Sequence, residues 1–356
     1  MTVVLVVGTR PNFMKAAPVA RALRAHDAEV VVVHTGQHYD DAMAEVFFAE
    51  LGVRPDVSLG VGSGSHSEQT ARVMERLEPV LVERAPDLVL VPGDVNSTLA
   101  AALVAAKLGI RLGHIEAGLR SFDRTMPEEL NRILTDAVSD LLFTHSPEAR
   151  VNLEREGATG EIHEAGNTMI DTLAALLPRI EAEGAPARHG VEPGGYVVCT
   201  LHRPALVDGP LLAEALDALE DLARELPVVF PAHPRTRAAM GGHEVPGVHV
   251  TEPLGYLEFM SLVASSAAAL TDSGGIQEET TWLGIPCFTL RSTTERPVTV
   301  ERGTNTLLGL APARIRELPA LIGDHERQAH DIPGWDGHAA ERIAEAVVAT
   351  PAEVRP

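Results

Sequence analysis

Cysteine is almost missing from this chain: Cys199 and Cys287 are the only two in 356 residues, and each lies inside an apolar segment. That scarcity argues against a disulfide framework or a cysteine zinc site and fits a reducing cytoplasm. Positive charge is also short, with a formal net charge of −21, which opposes any general affinity for nucleic acid or anionic membranes. An anionic ligand would therefore need a locally positive pocket. Lysine occurs only at Lys15 and Lys107 against 27 arginines, so a compact ammonium at Lys15 is notable. No apolar run comes near the length of a membrane span, and the opening MTVVLVVGTR has neither a basic leader nor a small-residue cleavage site. There is no GxxxxGK[ST] loop, no HExxH, no metal-spaced Cys/His set and no DxD pair. A nucleoside-triphosphate hydrolase is disfavoured on that ground, and no metal or cofactor is expected.

What the chain does have is alternation. VVLVVG, EVVVVHTG, DLVLVPGD and IRLGHIEAG read as strands, with helices from about Met14, Asp41, Ser97 and Pro127. The pattern restarts with YVVCTLHR, PVVFPAHP, GVHVTEP, AALTDSGG and PCFTL, separated by helices such as LLAEALDALEDLARELP. Repeated strand–helix order predicts a parallel sheet covered on both faces, here twice. The expected organisation is a first Rossmann-like domain over 1–170, a second over 171–337, and a terminal amphipathic helix within 338–356 that can pack back on the first. Pro, Gly, Arg and Glu crowd residues 175–195, which reads as a linker or hinge. In open sheets of this kind ligands sit beyond the carboxyl ends of strands, and the polar motifs collect there.

GTRPNFMK, residues 8–15, leaves the first strand through Gly8 and flanks a helix start with Arg10 and Lys15. It reads either as an anion site or as an ordinary loop with solvent-facing cations. TDSGGIQEET, residues 271–280, is sharper: Ser273, Gly274 and Gly275 enter a helix with no side chain over the backbone, so a phosphate could rest on the amides. Glu278 and Glu279 are placed in the first turn, as dipole-favouring residues or, for Glu279, as acceptor of a ribose diol. GVGSGS, residues 60–65, has the wrong spacing for a dinucleotide fingerprint and reads as a flexible loop. PGDVNST sets Asp94 after a strand, as a turn residue or a reactive carboxylate. His202 and His233 follow strands of the second half, as backbone-bonded loop residues or as ligands.

HIEAGLRSFDRTMPEELNR, residues 114–132, gathers Glu116, Glu128 and Glu129 among Arg120, Arg124 and Arg132. Surface salt bridges are one reading, although they stabilise little. Carboxylates facing a cation-lined cleft are the other, able to move protons while cations hold a charged leaving group.

Taken in order, GTRPNFMK, TGQHYD, PGDVNST, HIEAGLR, MPEELNR, GNT, HRP, HPRTR, PLGYLEF, DSGGIQEE, GIPC and TERP resemble the non-hydrolysing UDP-N-acetylglucosamine 2-epimerases, from Gly8 to about Gly309. The resemblance implies two doubly wound α/β domains facing across a cleft, of the glycosyltransferase-B type, and a homodimer. It implies interconversion of UDP-N-acetylglucosamine and UDP-N-acetylmannosamine by loss and re-addition of UDP through a glycal, with the cleft closing to keep water out. Motif by motif, Asp94, Glu116 and Glu128 fall on the family's catalytic carboxylates, and His202 and Arg10 on the diphosphate contacts with Lys15 beside them. Ser273, Gly274 and Gly275 fall on the phosphate turn, Glu279 on the ribose ligand, and Phe259 on the uracil-side wall. Gln37, His38 and Arg72 match positions that hold a second, activating UDP-N-acetylglucosamine in bacterial members, although Asp40 replaces the usual Gln.

Other departures are Asn12 for Glu, Val95-Asn96 for Thr-Thr, Ala205-Leu206 for Glu-Asn and Val298 for an acidic residue. Alternative readings are a hydrolysing epimerase that releases N-acetylmannosamine and UDP, a sugar transferase of the same architecture, and a nucleotide-sugar binding module without catalysis.

Overall fold

The computed structural model describes residues 1–36, 50–323 and 331–349. As far as described, the chain forms two compact units, Met1–Ala175 with Pro333–Pro356 and Leu176–Ile332.

The first unit holds seven strands: β1 (Thr2–Val7), β2 (Glu29–His34), β3 (Val57–Ser58), β4 (Leu88–Pro92), β5 (Arg111–Ala117), β6 (Leu141–Thr144) and β7 (Glu161–Glu164). They form one sheet in the order β3-β2-β1-β4-β5-β6-β7, and every pairing is parallel. The second unit has β8 (Val197–Thr200), β9 (Val228–Pro231), β10 (Val248–Thr251), β11 (Ala268–Thr271), β12 (Cys287–Thr289) and β13 (Asn305–Leu307), ordered β10-β9-β8-β11-β12-β13, again all parallel. Helices follow most strands, so the central strands are buried on both faces: Val3, Val4 and Leu5 are fully buried in β1, as is every residue from Leu88 to Val91 in β4. Unbroken Val/Leu runs are the sequence signature of such strands, and each buried side chain contributes roughly 1.5–3 kcal/mol.

In each sheet the winding direction reverses once, at β1/β4 and at β8/β11. At such a reversal two neighbouring loops diverge and leave a crevice at the carboxyl edge. The loops after β1 and β4 carry Gly8–Thr9 and Gly93–Asp94, and those after β8 and β11 carry His202–Arg203 and Asp272–Ser273. The polar motifs lie there because topology leaves those edges open.

Several elements differ from expectation. The first helix runs Arg10–Ala25, four residues earlier than Met14, because Asn12 Oδ1 reaches back to accept from the amides of Gly8 (3.3 Å) and Thr9 (3.1 Å) and Pro11 presets the first turn. The helix expected near Asp41 lies outside the described residues. A helix over His66–Arg84 follows GVGSGS, opened by a capping box in which Ser65 and Glu68 exchange side-chain and backbone bonds. That Ser-x-x-Glu signal was present in the sequence. The supposed linker is largely helical, with Thr168–Ala182 and Ala185–Arg188, and the boundary between units falls inside the first of these. Apolar Ile170, Leu173, Leu176 and Ile180 are buried along it, which outweighs the polar and Pro-containing composition. The terminal helix Ala339–Ala349 is grouped with the first unit, where the Asp171 carboxylate accepts from the amides of Ala339 (3.1 Å) and Ala340 (2.6 Å). Among the described residues no helix is long and apolar enough to cross a membrane.

Candidate active site

In the first unit the carboxylates collect around β4, β5 and the helix Pro127–Val138. Glu116 is the extra residue of a bulge: Ile115 pairs with Phe143 and Ala117 with Thr144, so one residue of β5 has no counterpart on β6. Its φ is +73°, a left-handed conformation that costs a non-glycine residue on the order of 1 kcal/mol or more. A bulge re-aims the side chain it carries, and here it brings Glu116 into ion-pair contact with Lys15 Nζ, each side chain 7% exposed. Lys15 is therefore a buried partner of a carboxylate rather than a solvent-facing cation. Gly93, at φ +70°, stands just outside: an added Cβ would lie 3.0 Å from Asn12 Nδ2 and 3.2 Å from Lys15 Nζ, so only glycine leaves both side chains in place.

Asp94 is held from the other side. Its Oδ2 accepts from Arg132 Nη1, and its carbonyl accepts from Asn131 Nδ2 at 2.8 Å. Arg132 is in turn bound by Glu129, whose Oε2 accepts from Nη2 (2.6 Å) and Nε (3.1 Å). Glu129 also accepts from Ser121 N, Ser121 Oγ and Phe122 N, at 2.9, 3.1 and 2.9 Å. Burial alone would raise the Glu129 carboxyl, but these bonds and the guanidinium hold it below its ordinary value. Thus Glu129 is fixed in the framework, while its neighbour Glu128, in the same first turn, is half-buried. Asp94 and Glu116 are thus brought to one sheet edge with Arg132 and Lys15, and Glu128 stands in the first turn of the helix that carries Arg132.

Beneath them lies a buried group that sequence reasoning missed. His114 is wholly buried on β5, with Nδ1 2.6 Å from Asp136 Oδ1 and Nε2 2.8 Å from the Gly93 carbonyl. Asp136 Oδ2 accepts from Gly118 N (3.1 Å) and pairs with Arg120 Nη2 (2.7 Å). Desolvation pushes the Asp136 carboxyl up, but His114 and then Arg120 outweigh it and keep it below its ordinary value.

In the second unit His202 Nδ1 stands 2.8 Å from Asp272 Oδ1, and Asp272 Oδ2 accepts from the amides of His202 (2.8 Å) and Arg203 (2.7 Å). Although Asp272 is fully buried and desolvated, that imidazole and those amides hold it below its ordinary value. The His233 ring lies 5.9 Å from that of His202, and its Nδ1 accepts from Arg235 N as a helix cap.

The helix Gly274–Leu283 starts at the expected turn, with Ser273 as its N-cap, and its first amides have no intrahelical acceptor. A Cβ at Gly274 would lie 2.6 Å from Arg296 Nη1 and 2.9 Å from Glu295 Oε1, so only glycine fits beneath that guanidinium. Arg296 is bound to Glu278 and Glu295, and Arg291 to Glu295 at 2.5 Å. Nothing in the residue pattern indicated that TERP, residues 294–297, would cover the glycine turn.

Glu278 and Glu279 lie one turn into the helix rather than in its first turn, because the helix begins at Gly274. Both are buried, so they are not dipole-facing caps. Glu279 accepts from Tyr256 Oη at 2.9 Å, and burial raises its carboxyl to about 8. Phe259 is half-buried on the helix Tyr256–Ser265. Arg72 donates to the carbonyls of Val61 (3.5 Å) and Ser63 (3.1 Å). Gln37, His38 and Asp40 lie outside the described residues, as does the Arg10 side chain, although Arg10 itself opens the first helix.

Comparison with known proteins decides the family. Residues 21–348 match the family model described as UDP-N-acetylglucosamine 2-epimerase. The UDP-N-acetylglucosamine 2-epimerase of Methanococcus maripaludis is 41% identical over 358 residues, covering 96% of this chain and 97% of that protein. This chain belongs to the UDP-N-acetylglucosamine 2-epimerase family. The crystal structure of the Methanocaldococcus jannaschii UDP-GlcNAc 2-epimerase, in complex with UDP-GlcNAc and UDP, matches with a TM-score of 0.90 at 38% identity, over 98% of this chain and all of that one. The two parallel-sheet α/β domains of this 2-epimerase family member are therefore the glycosyltransferase-B architecture expected from its sequence. Also similar, at 40% identity over 97% of this chain and 99% of that one, is the UDP-2,3-diacetamido-2,3-dideoxy-D-glucuronate 2-epimerase of Pseudomonas aeruginosa.

Proposed function

We propose that this 2-epimerase interconverts UDP-N-acetylglucosamine and UDP-N-acetylmannosamine without releasing the sugar, and that Asp94, Glu116 and Glu128 carry the proton transfers. The observation that carries the reading is the placement of Asp94 with Arg132 and of Glu116 with Lys15 at one sheet edge, with Glu128 in the first turn of the Arg132 helix, in a chain of this family. The sugar carbon 2 proton is not next to a carbonyl. It becomes acidic as the anomeric C–O bond breaks, when the bonding pair leaves with UDP and positive charge develops on the ring. A carboxylate then takes the proton and the C–H pair forms the glycal double bond. The reverse step adds UDP to the anomeric carbon and returns a proton to carbon 2 from the opposite face. Carboxylates both steady the positive charge and move the proton.

On this reading the remaining motif residues hold the leaving group. Ser273, Gly274 and Gly275 offer helix amides to the diphosphate, His202 and Arg10 contact its charge, Glu279 receives the ribose hydroxyls and Phe259 walls the uracil. The support is the amide-bearing helix start and the Asp272-bound imidazole. Arg72, with Gln37 and His38, is kept as the seat of an activating nucleotide sugar, and the homodimer and cytoplasmic setting as part of the same reading. The 40% identity to an enzyme named for a diacetamido glucuronate supports a second substrate reading, in which the sugar differs and the elimination does not.

The test is proton NMR in deuterated water with UDP-N-acetylglucosamine as the sole substrate. Growth of a UDP-N-acetylmannosamine signal carrying deuterium at carbon 2, with little free UDP, is the expected result. Free sugar plus UDP would establish the hydrolysing reaction instead. An unchanged spectrum, followed by exchange with the diacetamido uronate, would move the substrate.

A further inference from the structure

The buried His114 opens the HIEAGLR motif but has no task of its own assigned there, yet it bonds to the backbone next to Asp94 and lies on the strand that carries Glu116, two of the three reactive carboxylates. We infer that His114 is a positioning residue for the elimination, held as an imidazolium between the Asp136 carboxylate and the Gly93 carbonyl. The inference about catalysis rests on the epimerase reading, whereas the inference about the ring rests on geometry alone.

The hydrogen-bond inventory requires two ring protons. A carbonyl oxygen only accepts, so Nε2, 2.8 Å from the Gly93 oxygen, must donate. An ionised carboxylate also only accepts, so Nδ1, 2.6 Å from Asp136 Oδ1, must donate as well. A neutral imidazole has one N–H and would leave one of these contacts as two facing lone pairs. Asp136 is kept ionised by Arg120, whose Nη2 lies 2.7 Å from its other oxygen. The charges then close: Asp136 and Glu156 face Arg120 and His114, and Glu156 grips Arg120 at 2.9 and 2.6 Å.

Its reach is what makes the ring a positioning device. Gly93 precedes Asp94, and the imidazolium fixes its carbonyl. Asp136 binds Gly118, two residues after Glu116, while His114 stands two residues before it. The left-handed bulge at Glu116 is thus clamped on both sides through one carboxylate. Displacing a reacting group by about 1 Å costs on the order of 100-fold in rate, so the clamp acts on turnover rather than on nucleotide binding.

Asp136→Asn separates charge from shape. Its amide oxygen can accept from Gly118 and Arg120, and its NH2 can donate to Nδ1 of a now neutral ring, so every hydrogen bond survives while the imidazolium is lost. Isotope-labelled histidine NMR of the ligand-free wild-type protein at neutral pH is expected to show one ring with protected protons on both nitrogens, and Asp136→Asn the same ring with one. Initial rates of Asp136→Asn should fall roughly 100-fold in kcat with KM little changed and a thermal midpoint near wild type. His114→Gln identifies the ring by the loss of its signals. A singly protonated ring in the wild type, or wild-type turnover in Asp136→Asn, overturns the inference. Failure of the epimerase reading registers separately, as absence of carbon 2 exchange in the wild-type protein.

Discussion

Lys15 Nζ and Glu116 Oε2 form a buried ion pair that joins the first helix to the bulge at the end of β5, and neither side chain is more than 7% exposed. Replacing one partner strands the other charge, at a cost of about 3–5 kcal/mol. Lys15→Met should therefore lower stability by that order, whereas Lys15→Met with Glu116→Gln should recover most of it without recovering turnover. Urea unfolding of the two variants and the wild type, beside initial rates, checks both halves. Recovery of turnover in the double variant would remove Glu116 from the chemistry.

The proton-transfer assignment makes a sharper demand on kinetics. Asp94→Asn, Glu116→Gln and Glu128→Gln should each cut kcat by roughly 100-fold or more while UDP binds within a few-fold of wild type. Calorimetric titration with UDP and the deuterium-incorporation assay measure the two quantities independently. Wild-type turnover in all three would end the assignment.

Asp272 binds the imidazole of His202 and two backbone amides of the same loop. Since its carboxyl is held below its ordinary value, it contributes stability that is present above the unfolded pKa and is lost as pH falls through the lower folded one. Asp272→Asn should flatten the acid side of the stability–pH curve. It should also loosen UDP binding about tenfold, a comparison that thermal melts at several acidic pH values and a UDP titration make directly.

Glu279 predicts the opposite slope. Burial raises its carboxyl from 4.5 to about 8, so between those values the folded chain holds a proton that the unfolded chain has released. Its contribution is neutral below the unfolded pKa and becomes destabilising as pH rises through the window, reaching on the order of a few kcal/mol above the folded pKa. Glu279→Gln should melt higher than wild type at alkaline pH, with the gap closing toward pH 5, and should bind UDP less well if the ribose diol needs the carboxylate. An equal melting gap at every pH would contradict the burial argument.

Phe122 is 71% exposed and sits at φ +57°, where a bulky side chain is strained. Its amide is fixed by Glu129. Asn accepts this backbone conformation, so Phe122→Asn should hold or raise the melting temperature, by about 1 kcal/mol at most. Falling turnover with rising stability would mark the strained ring as functional.

The alternation of apolar runs and amphipathic segments announced two parallel sheets because the part of a strand buried on both faces must be apolar, and residues 3–7, 30–33 and 88–91 of β1, β2 and β4 are written that way. The polar Glu161–Glu164 strand and the two-residue Val57–Ser58 strand were not legible, since edge strands carry little burial and owe their place to a neighbour's backbone. Motif residues such as Asp94, His202 and Ser273 were legible because strand ends in this topology are the open edge. The roles of Glu129, Arg132, His114, Asp136 and Arg296 were not, because a charged residue reads the same in sequence whether it faces solvent or a buried partner. Local propensity and burial pattern, which act over a few residues, therefore determined the fold class, whereas the choice of Asp94, Glu116 and Glu128 came from the resemblance of their motifs to the family. Only the tertiary structure decided which charges are spent on one another, because ion pairs such as Lys15–Glu116 and Asp94–Arg132 join residues far apart in the chain at contact distance.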